Sequence, residues 1–95
     1  MDSNHKLIVD EDKNRFEYDL DGQTAFVEYR RAGDNYILTH TEVPKAFEGK
    51  GIAKSLVRDT LEHIKSKSGK FYPRCSYVNA FVSRHPEWQE HVAKD

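Results

Sequence analysis

The sequence predicts an α/β fold of the α+β-layered kind: a mostly antiparallel mixed sheet with two to three helices packed on it. Three observations carry that prediction. The first half alternates apolar and polar residues with a period of two, its alternating runs are divided by turn dipeptides, and the second half switches to the period of an amphipathic helix.

Residues 15–20 set Phe16, Tyr18 and Leu20 against Glu17 and Asp19, the pattern of a half-buried strand. Asp21-Gly22 follows, a dipeptide favoured where both central residues of a hairpin need positive φ. Residues 24–31 alternate again, with Ala25, Val27 and Tyr29 opposite Thr24, Phe26, Glu28 and Arg30. Gly33-Asp34-Asn35 marks the next turn. A strand over 36–43 is rich in β-branched and aromatic residues (Tyr36, Ile37, Thr39, Thr41, Val43) and stops at Pro44, which cannot donate to a ladder. A short strand at 6–9 completes an antiparallel meander.

Ala53, Leu56, Val57, Thr60, Leu61 and Ile64 then recur on one face of a helix. Lys65 and Lys67 suit the negative end of its dipole, and Gly69 is placed to terminate it. Residues 71–75 form a short strand. Ser76 is the expected N-cap of a second helix carrying Val78, Phe81 and Val82, and Pro86 opens a last turn with Trp88 and Val92. Phe81 and Trp88 belong to the core, and residues 1–5 and 91–95 are expected to fray.

A chain of 95 residues implies one domain over 1–95. Hydrophobic residues are only 37%, but they fall in patterned runs that can close a core. The net charge of -1 gives none of the positive field a nucleic-acid partner requires. No run nears the roughly 20 apolar residues of a membrane span, so no membrane partner is expected. The single cysteine, Cys75, excludes an intrachain disulfide and suits a reducing compartment. With no leader-like start, the expectation is a soluble, cytoplasmic protein. His5, His40, His63, His85 and His91 show no ligand spacing, so no metal is expected.

The chemistry concentrates in the segment Pro44-Lys45-Ala46-Phe47-Glu48-Gly49-Lys50-Gly51-Ile52-Ala53-Lys54. Two glycines arrive as the helix opens, where free N–H groups and the dipole favour an anion. Lys45, Lys50 and Lys54 add charge, so the segment reads as a phosphate or pyrophosphate cradle. A Walker loop is excluded because no glycine precedes Gly51 and Lys54-Ser55 at the required spacing. A dinucleotide fingerprint is excluded because Lys54 stands at its third glycine and no first βαβ strand precedes it.

Residues 48–53, Glu-Gly-Lys-Gly-Ile-Ala, resemble the Q/R-x-x-G-x-G/A loop of the GNAT superfamily. His40-Thr41-Glu42-Val43-Pro44 before the loop and Pro73-Arg74-Cys75-Ser76-Tyr77-Val78 after it resemble a compact branch of that superfamily, the minimal N-acetyltransferase domain-containing proteins of bacteria, plants and animals. The resemblance spans about residue 15 to Trp88. It implies a compact GNAT-like fold and a coenzyme A-binding acyltransferase that moves acetyl from acetyl-CoA to an amine acceptor, a small molecule or a peptide. It further implies pyrophosphate on the backbone of Gly49, Lys50, Gly51, Ile52, Ala53 and Lys54, pantetheine bonded near Val43, and Asn79 facing the cleft. One residue departs from the pattern: Glu48 stands where the superfamily has Gln or Arg, and an exposed carboxylate there opposes a pyrophosphate by about 1 kcal/mol.

Transfer to an amine needs a neutral nucleophile and a polarised thioester. His40 and Glu42 share a strand face by parity, and His40 has the better matched ordinary pKa for a general base. Cys75 precedes a helix start and is the second catalytic candidate, as an acetyl acceptor or a contact to the coenzyme sulfur; the plainer alternative is a small buried residue. Tyr77 is taken as a half-buried aromatic, although the resemblance would also let it protonate a departing thiolate. The competing function is a non-catalytic coenzyme A or acyl-CoA binding module, because the chain looks too short to wall an acceptor groove. A protein-interaction domain with a relict loop ranks third.

Overall fold

In a computed structural model of the chain, which describes residues 5–94, five strands lie side by side in the order in which the chain makes them. They are β1 (Ile8–Asp10), β2 (Arg15–Leu20), β3 (Gln23–Ala32), β4 (Asn35–Glu42) and β5 (Phe71–Pro73). The first four pair antiparallel, and β5 joins β4 in parallel after a crossover through helix α1 (Ile52–Ser66). Helix α2 (Ser76–Arg84) and a 3₁₀ segment at Pro86–His91 follow. The layered α+β class and its mixed, mostly antiparallel sheet are as the alternation and the change of period predict.

Local chemistry sets most of this. At the β2–β3 hairpin Asp21 and Gly22 both take positive φ, 54° and 89°, as the dipeptide predicts. Phe16, Tyr18 and Leu20 of β2, and Ala25, Val27 and Tyr29 of β3, are buried on the face that receives the helices. From α1 come Ile52, Leu56, Val57, Leu61 and Ile64. Burying one such aliphatic side chain is worth about 1.5–3 kcal/mol, which holds α1 to the sheet far more firmly than helix propensity does. The helix begins one residue before its expected face, so Ile52 is buried and Ala53 only half-buried. At its other end Ser68, with φ 61°, takes a left-handed position one residue before the Gly69 expected to terminate the helix.

Several boundaries move. β1 starts at Ile8, not at residue 6. β4 ends at Glu42, leaving Val43 outside the strand, and β5 ends at Pro73. Cys75 is the N-cap of α2, so Ser76 is its first helical residue and makes no capping bond. The chain end is also not frayed as far as Lys94: the Ala93 N–H donates to the Phe71 carbonyl at 2.7 Å, and Val92 bridges the same residue. β5 is an edge strand, and this return satisfies backbone groups that would otherwise face solvent.

One irregularity positions the site. Tyr29 pairs with Leu38 and Glu28 with His40, so Thr39 is an extra residue in β4. Its hydroxyl donates to the Glu28 carbonyl at 3.2 Å. A one-residue bulge reverses the alternation of a strand. Before it Tyr36 and Leu38 are buried; after it Thr41 takes that side, and His40 and Glu42 turn to the opposite, exposed face. That face carries half-buried Phe26, Ile37 and Tyr72 among Glu28, Arg30 and His40, with the Arg15 guanidinium 3.8 Å above the Phe26 ring.

Candidate functional site

From the end of β4 the chain passes Val43 and Pro44 into a 3₁₀ turn at Lys45–Phe47, closed by the Phe47 N–H donating to the Pro44 carbonyl at 2.8 Å. Glu48 is extended, and then Gly49 and Gly51 take φ of 79° and 77°. A side chain in this left-handed region clashes with its own backbone, which accounts for glycine at both places. Gly51 is the N-cap of α1 and supplies no side-chain cap, so the helix opens with bare N–H donors. A Cβ at either glycine would meet nothing within 4 Å, so the space in front of the loop is open.

That space is a pocket of about 340 Å³. It is bordered by Val43 at the strand end, by Phe47, Glu48, Gly49, Gly51, Ile52, Ala53 and Lys54 of the loop and first helical turn, and by Tyr77 across from them on α2. The loop residues expected to cradle phosphate are thus gathered on one wall with Val43. Lys50 is exposed but does not line the pocket, and neither does Asn79, which is exposed on α2. Tyr77 does line it, at 40% exposure somewhat more open than the half-buried aromatic expected, and partial burial raises its phenol pKa above the ordinary value.

Cys75 lies where β5 gives way to α2. It is buried, its N–H donates to the Leu38 carbonyl at 2.8 Å, and its Sγ is 3.3 Å from the Thr41 hydroxyl. β4 and β5 pair only as far as Leu38 and Pro73, and beyond that point β4 continues beside β3 without β5. His40 stands on the other side of β4, its Nε2 2.8 Å from Glu42 Oε1 and its ring edge-on to Phe26. A carboxylate only accepts, so Nε2 carries the hydrogen, and in the neutral ring Nδ1 is the acceptor. Parity paired His40 with Glu42 correctly, but the bulge at Thr39 sets the pair on the face away from Cys75. The two catalytic candidates are therefore not brought into contact.

The first turns of α1 are also tied to the sheet. The Tyr18 hydroxyl is hydrogen-bonded to Ser55 Oγ at 2.8 Å and donates to Asp59, and Arg58 reaches Ser55 Oγ at 3.4 Å. Burial, reinforced by the Asp59 hydrogen bond, pushes the Tyr18 pKa up to about 12. Composition patterning marks Tyr18 as core but gives no signal for this bond, because its partners are 37 and 41 residues away. Among the described residues no group of His, Cys, Asp and Glu gathers where it could hold a metal ion, and no helix is long and apolar enough to cross a membrane.

A profile of the GCN5-related N-acetyl-transferase family matches residues 15–91. The chain belongs to that family. The match runs from β2 through the 3₁₀ segment after α2, and so covers the glycine loop, His40, Cys75 and Asn79. Relatives named "Protein NATD1" are similar along most of their length. The protein of Xenopus tropicalis is 33% identical over 91 residues, spanning 90% of this chain and 84% of its own. That of Danio rerio is 32% identical over 99 residues, spanning 97% and 90%. That of Homo sapiens is 33% identical over 85 residues, spanning 84% and 75%. The likeness to the GNAT superfamily drawn from the loop and its flanks is thus the family relationship of the chain.

Proposed function

We propose that this GCN5-related N-acetyltransferase binds coenzyme A in the pocket at 49–54 and transfers acetyl from acetyl-CoA to an amine. The observation that carries the proposal is the uncapped start of α1 at left-handed Gly51, opening onto a pocket that ends at Val43. The residues suit the group. Gly49 and Gly51 leave open space where a Cβ would otherwise stand, the N–H groups of Ile52, Ala53 and Lys54 face a helix start, and Lys50 and Lys54 add positive charge. Bound acetyl-CoA would supply an activated thioester.

In this scheme Val43 offers a backbone bond to the pantetheine arm, and Asn79 flanks the cleft from α2. Cys75, held against Thr41, stands beside the opening between β4 and β5. His40 takes the proton of the incoming ammonium at Nδ1 while Glu42 fixes its ring through Nε2. Tyr77, kept protonated by its raised pKa, can give a proton to the leaving thiolate. The amine then approaches from the exposed sheet face and the thioester from the helix face.

A second reading has one observation in its favour. The face that carries His40 is an exposed sheet surface, not a walled groove, which suits a coenzyme-binding module with little turnover. Calorimetric titration with coenzyme A, beside intact-mass analysis after acetyl-CoA and an amine panel, separates the possibilities. Binding with acetylated amine is the expected result. Binding without transfer to any amine or to Cys75 favours the module, and no binding at millimolar coenzyme A removes both.

A further inference from the structure

Lys54 borders three hollows in succession. The first is the pocket at 49–54, which alone includes Val43. The second is a hollow of about 90 Å³ that shares Lys54 and Tyr77 with the first and adds Arg84 and His85. The third is a groove of about 290 Å³ between α1 and α2, which shares Lys54, Phe81 and His85 with the second.

Charge and shape sort these hollows. No carboxylate lines the second among the described residues, and its polar walls are Lys54, Arg84, His85 and Tyr77. The groove mixes the carboxylates Glu62, Glu87 and Glu90 with the cations Lys54, Arg58 and Lys65, and it also holds flat surfaces. The rings of Phe81 and His85 are stacked, 4.2 Å between centroids and 23° between planes, and Trp88 lies in the same wall. His85 Nδ1 donates to the Phe81 carbonyl at 2.9 Å, which fixes the ring and leaves Nε2 without a partner among the described residues.

A molecule whose diphosphate sits on 49–54 with its thiol arm toward Val43 must send its nucleoside end the other way, past Lys54. The geometry points to a built subsite for that end. Lys54 and Arg84 clamp the ribose 3′-phosphate in the second hollow, and the purine lies along the His85–Phe81 stack in the groove, where a carboxylate accepts from its exocyclic amine. The phosphate is assigned to the hollow that has two cations and no carboxylate, and not to the groove, where Glu62, Glu87 and Glu90 stand among Lys54, Arg58 and Lys65. The chain thereby distinguishes coenzyme A from the same molecule lacking the 3′-phosphate. This rests on the coenzyme assignment of the first pocket and adds a specificity to it.

Calorimetric titration with coenzyme A and with 3′-dephospho-coenzyme A tests the subsite. The wild-type chain should bind coenzyme A at least about tenfold more tightly. Arg84→Gln, at an exposed position, should lower coenzyme A affinity to the dephospho level and leave dephospho-coenzyme A unchanged, while Arg84→Lys should restore part of the difference. Equal affinities for the two ligands in the wild-type chain would overturn the subsite and spare the first pocket. Failure of both ligands to bind would overturn the coenzyme assignment and the subsite together.

Discussion

The two helices begin beside the same strand end and are built in opposite ways. α1 opens at Gly51, exposed and left-handed, with nothing in front of it. α2 opens at Cys75, extended and buried, with its N–H on the Leu38 carbonyl and its sulfur on Thr41. An open helix start offers donors and a dipole to a ligand, whereas a closed one is fastened to the sheet and holds a side chain still. Under the proposed function the first start is a receiving wall and the second a fixed one. α1 is made fast only a turn later, where Tyr18 holds Ser55 and Asp59.

The largest effect expected is at the open start. In Gly51→Val a β-branched residue is forced to a φ of 77°, costing about 1–2 kcal/mol or more of stability. The first N–H groups of α1 are then re-aimed, and coenzyme A should bind at least about tenfold more weakly in calorimetry. Unchanged affinity would mean that the open start is not the receiving wall.

Tyr18→Phe tests whether α1 is fastened where the contrast requires. It keeps the ring in the core and removes one hydroxyl, leaving Asp59 without that donor, and should cost about 1.5 kcal/mol in urea unfolding at neutral pH. The sign at alkaline pH follows from the raised pKa. Between the ordinary value of 10.0 and about 12 the unfolded chain loses the Tyr18 proton while the folded chain keeps it. The hydroxyl's contribution is therefore complete below pH 10.0 and is lost as pH rises toward about 12. The gap between wild type and Tyr18→Phe should narrow across that window, and a constant gap would place the proton elsewhere.

Cys75→Ala probes the closed start. The Leu38 bond is made by backbone and survives, so stability should fall by only about 1 kcal/mol. Coenzyme A affinity should stay within about twofold, since the pocket at 49–54 is not lined by Cys75. Intact mass after acetyl-CoA then reports on the thiol alone: an acetyl adduct on wild type that vanishes in Cys75→Ala makes Cys75 an acceptor. Turnover of amines by Cys75→Ala at the wild-type rate would leave the thiol a packing residue.

How far these walls were legible in the sequence depends on the range of the interaction. The hairpin at Asp21-Gly22, the apolar face of α1 and the glycines of the loop are local signals, and each lies where the pattern puts it. The side of β4 on which His40 stands was not legible, because Thr39 is an ordinary strand residue and only its pairing with Glu28 reveals the bulge. The Thr41–Cys75 contact and the docking of Ala93 on Phe71 join residues far apart in sequence, and no period encodes them. The place of Tyr77 on the pocket wall has no signal in spacing, because a helix of nine residues is too short for its pattern to fix a face; it follows from how α2 is set against the loop.

The smallest effect expected refines the receiving wall itself. Glu48 is exposed at the rim of the pocket, one residue before Gly49, and it is the loop position that departs from the Gln or Arg of the superfamily pattern. A carboxylate there repels a diphosphate, but water and salt screen the repulsion at such an exposed site. Glu48→Arg reverses the charge without touching the left-handed glycines, so coenzyme A should bind roughly two- to fivefold more tightly at low salt, and the gain should shrink as salt is added. The same substitution should leave the thermal midpoint nearly unchanged, because Glu48 makes no side-chain bond among the described residues and contributes only its backbone to the turn before α1. If affinity falls instead, Glu48 takes part in holding the ligand, and the donors at the start of α1 do not account for the wall on their own.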